Sequence, residues 1–265
     1  MPNWFYNMET WLALLMIYVI CCSIGLLAYF ISQKFFKKYD TFEVISKIVW
    51  QTVLFFSTMF ITFWIATNWH NLKDLSQITK KEANTIESLY SYANLPGSEV
   101  YTQKLQNIIF NYLDSIITQE FPALEAGKLE NVSLDSYRRL LRFVNQYKST
   151  NTRNNEFAYD RLMRTMDLLL NYRAARLSYS NGELNGPLLG FFIIIIVLGC
   201  FWTGAIYSRN FSFSLIIILS QNIIMASSTW LILEIDKPFQ GYFKVGDKAF
   251  INVKKDILSF DARQG

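Results

Sequence analysis

The sequence is poor in charged residues and carries no basic stripe. Only 17% of its 265 residues are charged, whereas 52% are hydrophobic and 17% are aromatic, which is more apolar than an ordinary soluble domain. The net charge of +4 is small, and the lysines and arginines are dispersed among acidic residues. Nucleic-acid-binding proteins need a clustered basic surface, so we expect no nucleic-acid partner.

Residues that carry catalysis or bind metals are also scarce. The three cysteines, Cys21, Cys22 and Cys200, lie inside apolar runs without CxxC spacing, which argues against a disulfide framework or a zinc site. His70 is the sole histidine and follows Trp69 at the end of an apolar run, which is typical of an ordinary interfacial residue. Without His70, no serine or cysteine has the usual imidazole partner. No glycine-rich phosphate loop occurs. We therefore expect no enzyme activity, cofactor or metal centre.

Four long apolar runs dominate what is present. They cover residues 11–31, 48–69, 187–208 and 213–235, and the only charge within them is Glu234. Each is long enough to cross a hydrocarbon core of about 30 Å as a helix. The pattern predicts an all-α integral membrane protein with four transmembrane helices, arranged two plus two around a helical soluble domain inserted between spans two and three.

The predicted domain boundaries follow from this pattern. Residues 1–70 contain the N-terminal tail and spans one and two, and residues 71–186 form the helical extramembrane domain. Residues 187–236 contain spans three and four, and residues 237–265 form a C-terminal tail. Within the extramembrane domain, apolar residues recur at helical spacing. Breaks at Pro96-Gly97 and Pro122 predict helices over about 72–95 and 99–121, with two more beginning near 133 and 156.

The distribution of lysines predicts the sidedness. Four lysines lie in the short link between spans one and two, and the N-terminus has none. The positive-inside rule then places the link in the cytoplasm and the helical domain outside it. Six basic residues in the C-terminal tail argue for the opposite orientation. We predict an extracytoplasmic domain because the first helix usually dominates.

The stretch "DKPFQG" follows the last span and places an acid at the C-terminal end of a helix, where the helix dipole disfavours it. Pro238 lacks an N–H, so the Asp236 carboxylate needs a more distant donor or a cation. The predicted topology puts two arginines and two glutamates on the same side of the membrane. We predict a structural polar cluster of Glu82, Glu87, Arg173, Arg176 and Asp236, with Pro238, Phe239 and Gly241 forming the turn. The alternative is a set of independent, solvated charges.

Polar residues inside the spans allow two interpretations. Amides and hydroxyls at membrane depth line a pore or make hydrogen bonds between helices, and phenylalanines form either a constriction or a lipid-facing surface. The candidate pore-lining residues are Gln51, Phe55, Ser57, Thr58 and Thr62 in span two, and Gln221 and Asn222 in span four.

Four short motifs resemble one family. They are "EANTIESLYSYANLP" from Glu82, "YLDSIITQEFPALEAGK" from Tyr112, "RAARLS" from Arg173 and "DKPFQG" from Asp236. Their order around four spans resembles the bacterial bestrophin-like membrane proteins. Phe121 stands where that family usually has tryptophan.

This resemblance implies a homo-oligomer in the bacterial cytoplasmic membrane, in contact with lipid and enclosing a pathway for small ions, because bestrophins are oligomeric anion channels with a two-plus-two layout. Bestrophins hold their large domain in the cytosol, opposite to the sidedness that the lysines predict. The alternative function is a non-conducting sensor or scaffold whose helical domain binds a partner.

Overall fold

The computed structural model describes residues 10–35, 40–93, 99–128, 132–150, 156–181, 186–206 and 211–264, and every regular element among them is helical. The helices are α1 (Thr10–Phe35), α2 (Asp40–Tyr92), α3 (Glu99–Ser115), a π-helix (Ile116–Glu120), α4 (Phe121–Glu125), α5 (Val132–Thr150), α6 (Glu156–Ser178), a 3-10 turn (Tyr179–Asn181), α7 (Gly186–Ile206), α8 (Phe211–Asp236) and α9 (Lys248–Gln264).

Helix α2 is longer than the sequence predicts. The sequence predicts a span over residues 48–69 and a separate helix from residue 72, but α2 is one continuous helix of 53 residues. The segment contains neither glycine nor proline, so no residue forces the helix to stop at the end of the apolar run. The polarity changes at Trp69, whereas the backbone conformation does not.

Three described helices are long and apolar enough to cross a membrane. They are Trp11–Phe35 in α1, Val44–Tyr92 in α2 and Phe211–Asp236 in α8. In α7 the described apolar stretch is shorter, from Gly190 to Ala205. The first, second and fourth predicted spans therefore have helices of sufficient length. The third predicted span, in α7, stays a prediction.

The chain divides into two compact units. The membrane unit contains residues 1–71, 182–237 and 241–243, and the helical unit contains residues 72–181, 238–240 and 244–265. The segment predicted as a C-terminal tail thus carries a helix, α9, that belongs to the helical unit. Its Phe250, Val253 and Ile257 are buried in the core of that unit.

Small residues bring α1 and α7 together in the membrane unit. A Cβ atom on Gly204 would overlap the carbonyl oxygen of Gly25, so the two backbones touch. The Ser32 hydroxyl donates a hydrogen bond of 3.0 Å to the Ala205 carbonyl. Close backbone approach at small residues, reinforced by hydroxyl groups, is how helices associate in lipid.

The helical unit has a conventional hydrophobic core. It is formed by one face each of the end of α2, α3, α5, α6 and α9, including Leu89, Ile109, Leu140, Met166 and Phe250. Two ion pairs also attach the C-terminal segment: Lys254 to Asp114 at 2.6 Å and Lys244 to Glu125 at 2.8 Å. These exposed or half-exposed pairs contribute little compared with the buried aliphatic side chains.

Candidate functional site

Helix α6 supplies two arginines to the interior of the helical unit. Arg173 and Arg176 are 4% and 0% exposed. Since they are three residues apart, both lie on one face of α6, and this face is the one turned into the core. Arginine is rarely buried completely unless it is paired, so carboxylates are required nearby.

The carboxylates come from α2 and from the π-helix. Glu82 lies on the part of α2 that belongs to the helical unit, and Glu120 is the last residue of the π-helix; both are fully buried. A π-helical turn inserts one residue into the helical register and turns the side chains that follow, which is frequent at functional sites. Pro122 is accommodated at the start of α4, directly after this turn.

The four side chains form one connected ion-pair network. Arg176 binds Glu82 through two parallel hydrogen bonds, from Nε to Oε2 at 2.6 Å and from Nη2 to Oε1 at 3.1 Å. Nη2 of Arg176 also donates to Oε1 of Glu120. Arg173 Nη2 donates to Oε2 of the same glutamate at 2.7 Å. All four carboxylate oxygens therefore accept an arginine N–H, which is the strong, charge-assisted class of hydrogen bond.

Aromatic rings cover the central guanidinium. The Cζ atom of Arg176 lies 5.1 Å from the ring centroid of Phe121 and 5.7 Å from that of Phe250, within the range of cation–π attraction. Arg176 Nη1 has no hydrogen-bond partner among the described residues, so ring contacts complete its surroundings. Phe121 also contacts Phe239 of the DKPFQG segment, with ring centroids 6.2 Å apart.

Burial and charge act in opposite directions on the network. Burial raises the pKa of Glu82, while the Arg176 guanidinium lowers it; burial is the stronger effect, so the pKa lies above its ordinary value. Burial by itself would lower the pKa of Arg176, but the two carboxylates overcome that effect and raise it. Burial, together with the same carboxylates, raises the pKa of neighbouring Tyr112 well above its usual value. Arg176 and Tyr112 thus both keep their protons.

The composition and burial of this network fit a structural role. Two acids and two arginines cancel in formal charge, and none of the four is exposed enough to meet a solute. In the part of the chain that the structure describes, no three acidic, cysteine or histidine side chains form a metal site. The network therefore joins α2, the π-helix and α6 within the helical unit.

A second constrained feature lies in the membrane unit, just after α8. The Glu234 carboxylate accepts a hydrogen bond of 2.8 Å from the backbone N–H of Tyr242. Gly241 has a φ of +73°, and a Cβ there would overlap Oε2 of Glu234. Only glycine adopts this conformation readily, so Gly241 lets the carboxylate close the turn.

The outward face of α2 carries most of the pore-lining residues predicted for the second span. Gln51, Phe55, Thr58 and Thr62 are all exposed. Ser57 is the exception, because it is 2% exposed and lies on the opposite side of the helix. On α8, Gln221 is half-buried and Asn222 is fully buried. Ser57 and Asn222 therefore face other parts of the membrane unit rather than a pathway outside it.

Comparisons with known proteins identify this arrangement of helices. Residues 12–250 match the family model described as the bestrophin-like domain. The chain belongs to the bestrophin-like family. A search of curated proteins finds no match to this bestrophin-like sequence.

Solved structures share the bestrophin-like fold. A crystal structure of a mutated bacterial bestrophin homologue from Klebsiella pneumoniae has a TM-score of 0.72 at 9% identity and covers 93% of this chain and 97% of its own. Another from that organism, solved by Zn-SAD phasing, has a TM-score of 0.69 at 9% identity, covering 91% and 97%. A mutated membrane protein has a TM-score of 0.70 at 10% identity, also covering 91% and 97%. These likenesses establish a shared fold.

The structure of this bestrophin-like membrane protein brings together part of the predicted polar cluster. Glu82, Arg173 and Arg176 meet, whereas Glu87 is exposed on α2 and lies outside the network. Its position one and a half turns beyond Glu82 puts it on another side of the helix. Asp236 is buried at the end of α8 in the membrane unit, and its pairing with the arginines stays a prediction.

Two acids with structural contacts were not identified from the sequence. The sequence predicts a helix end at Pro122 and assigns no role to nearby Glu120, yet Glu120 binds both arginines. Glu234 was noted as the one charge in span four, yet it holds the turn. The available signals were the Glu-Phe-Pro order in a family motif and a glycine seven residues after an acid.

Proposed function

We propose that this bestrophin-like protein forms a homo-oligomer in the bacterial cytoplasmic membrane and encloses a pathway for small ions, lined by one strip of α2. The observation that carries the proposal is the exposed face of α2 between Gln51 and Phe63. Of the three long candidate spans, this helix buries the smallest share of its apolar window. A polar membrane face that the single chain leaves uncovered needs either water or another subunit.

The exposed face of α2 divides into two strips. Gln51, Thr58 and Thr62 lie within about 40° of one another around the helix axis, with Phe55 beside them. Phe56, Met59 and Phe63 form a neighbouring apolar strip and are each more than 60% exposed. We assign the polar strip to the pathway and the apolar strip to a neighbouring subunit or lipid. Phe55 is placed to narrow the pathway as a hydrophobic constriction.

Other predicted lining residues do not enter this proposal. Ser57 and Asn222 are buried inside the protomer. Phe60 is half-buried and packs on Phe191 and Phe192 of α7, with ring centroids 5.2 and 6.2 Å away. The helix therefore has an inner side that holds the protomer together and an outer side that is free to line a pathway.

We further propose the two-plus-two layout of four spans, with α7 as the third span and residues 71–186 as the inserted helical domain. The lysines of the first link support an extracytoplasmic domain, and the bestrophin resemblance supports a cytosolic one. A reporter fused at residue 130 distinguishes these orientations, since only one side of the membrane activates it.

Cysteine accessibility tests the pathway. Thr58→Cys and Thr62→Cys are reconstituted in liposomes, and conductance is followed while a charged methanethiosulfonate reagent is added. The three native cysteines are buried, so the introduced thiol is the reactive one. We expect the conductance to change for both variants, because a charged adduct in a narrow pathway alters ion flow.

Met59→Cys and Phe63→Cys are the matched controls on the neighbouring strip, and their conductance is expected to stay constant. Equal responses from both strips would contradict the assignment of the lining. A monomer in detergent, or liposomes without conductance under any condition, would instead support the non-conducting sensor or scaffold.

A further inference from the structure

The segment that follows α8 contacts two tryptophans of the apolar helices. The uncharged run of α2 ends at Trp69, and Trp230 lies four residues before the charged Glu234 near the end of α8. The ring of Phe243 lies 6.0 Å from Trp69 and 6.3 Å from Trp230, centroid to centroid. Residues 242 and 243 are therefore at the same level as the two tryptophans that mark the ends of these apolar runs.

Tyrosine and tryptophan prefer this level of a membrane. Their rings are apolar, and each carries one hydrogen-bonding group that reaches lipid headgroups or water. Tyr242 is 72% exposed, the most exposed of the large apolar or aromatic side chains identified in the described residues. Its ring rests against Phe243 at 5.2 Å in an edge-to-face geometry, and Trp69 is also about half exposed.

The backbone holds Tyr242 in this position. Its N–H is bound by the Glu234 carboxylate at 2.8 Å, and Gly241 supplies the positive φ that the turn requires. A buried acid at the end of a membrane helix is costly, so its use to hold an exposed tyrosine indicates that the position of this ring matters.

We propose that Tyr242, Phe243 and Trp69 form a phospholipid contact site, in which Tyr242 lies among the glycerol and headgroup layer of the membrane. The ring packs on the first acyl carbons, and the hydroxyl donates a hydrogen bond to an ester or phosphate oxygen. This site anchors the end of α8 at a fixed depth, and it does not depend on whether the protein conducts ions.

Depth-dependent fluorescence quenching tests the site. Tyr242→Cys is labelled with a nitrobenzoxadiazole fluorophore in the full-length protein, since the native cysteines are buried. The protein is reconstituted in phosphatidylethanolamine–phosphatidylglycerol vesicles that contain phospholipids spin-labelled either near the headgroup or deep in the chain. We expect stronger quenching by the shallow spin label than by the deep one, with little quenching by aqueous iodide.

Two control positions calibrate the depth. Ile224→Cys on α8 is exposed in the middle of that helix, so its label is expected to respond most to the deep spin label. Ser91→Cys is exposed on α2, 22 residues or about 33 Å beyond Trp69 along the helix, so it should respond only to iodide. The proposal would be overturned if the label at position 242 were quenched only by iodide, as at position 91. It would also be overturned if no quencher reached the label because a second subunit covers it.

A glycine pair tests the supporting turn. In the labelled Tyr242→Cys background, Gly241→Ala should abolish the preference for the shallow spin label, because the added Cβ overlaps Glu234. Gly246→Ala is the matched control, since a Cβ there meets nothing within 4 Å. If Gly241→Ala leaves the quenching profile unchanged, the turn does not set the depth of residue 242.

Discussion

The interiors of the two units use polar groups in different ways. The helical unit buries two glutamates and two arginines whose four carboxylate oxygens all accept hydrogen bonds. The membrane unit buries Asn222 completely, and its amide has no hydrogen-bond partner among the described residues. The membrane unit also brings the backbones of α1 and α7 into contact at Gly25 and Gly204.

The solvent around each unit explains this difference. Water drives apolar side chains together in the helical unit, which leaves enough stabilisation to bury charges if they are well paired. Lipid is as apolar as the helix surfaces, so association in the membrane unit relies on close packing instead. We therefore expect the stability of the helical unit to depend most on its charge pairs, and that of the membrane unit to depend most on the close approach of its helix backbones.

Breaking the ion-pair network should have the largest effect. Arg176→Gln removes both hydrogen bonds of the buried Glu82 and leaves Glu120 with Arg173 alone, and removal of one partner from a buried pair costs about 3–5 kcal/mol. We expect the free energy of unfolding in detergent to fall by that amount. Arg138→Gln removes an arginine that is 62% exposed and should change it by less than about 0.5 kcal/mol. Equal losses from both variants would refute the comparison.

Separating the membrane helices should have an intermediate effect. In Gly204→Ala the added methyl group meets the Gly25 backbone and has to push α1 and α7 apart, and overpacking typically costs about 1–3 kcal/mol. Thermal unfolding in detergent measures this loss. Gly190→Ala in the same helix has open space around the new Cβ, so it should be neutral or stabilise by up to about 1 kcal/mol. Equal changes in thermal stability for the two variants would contradict the importance of the close contact between α1 and α7.

A pH titration of Glu82→Gln should show the smallest effect. Burial raises the pKa of Glu82 above 4.5, so the folded state keeps its proton to a higher pH than the unfolded state does. Wild-type stability, measured relative to Glu82→Gln, should therefore fall as the pH rises from 4.5 through the raised pKa. The slope is at most about 1.4 kcal/mol per pH unit.

The measurement is the difference in unfolding free energy between wild type and variant at each pH. Glu87→Gln is the control, because it removes an exposed carboxylate from the same helix. A wild-type advantage that grows with pH would mean that attraction to Arg176 outweighs burial.

Much of the helical architecture could be predicted from the sequence, and the reasons are local. Long uncharged runs predicted α1, α8 and the apolar part of α2, and the spacing of Arg173 and Arg176 predicted a shared face. The continuity of α2 through Trp69 was missed because a change in polarity is not a helix stop. The role of Glu120 was missed because a π-helical turn changes the register without a distinct residue pattern.

The sequence by itself determined which segments are apolar enough for a membrane, where glycine and proline interrupt the helices, and which family the motifs resemble. Those properties depend on residues close together in the chain. The tertiary structure alone decided that Glu120 joins Glu82 and two arginines, and that Phe243 returns to Trp69 and Trp230. Such contacts join residues far apart in the chain, and hydrogen-bond geometry and ring packing select them only once the helices have assembled.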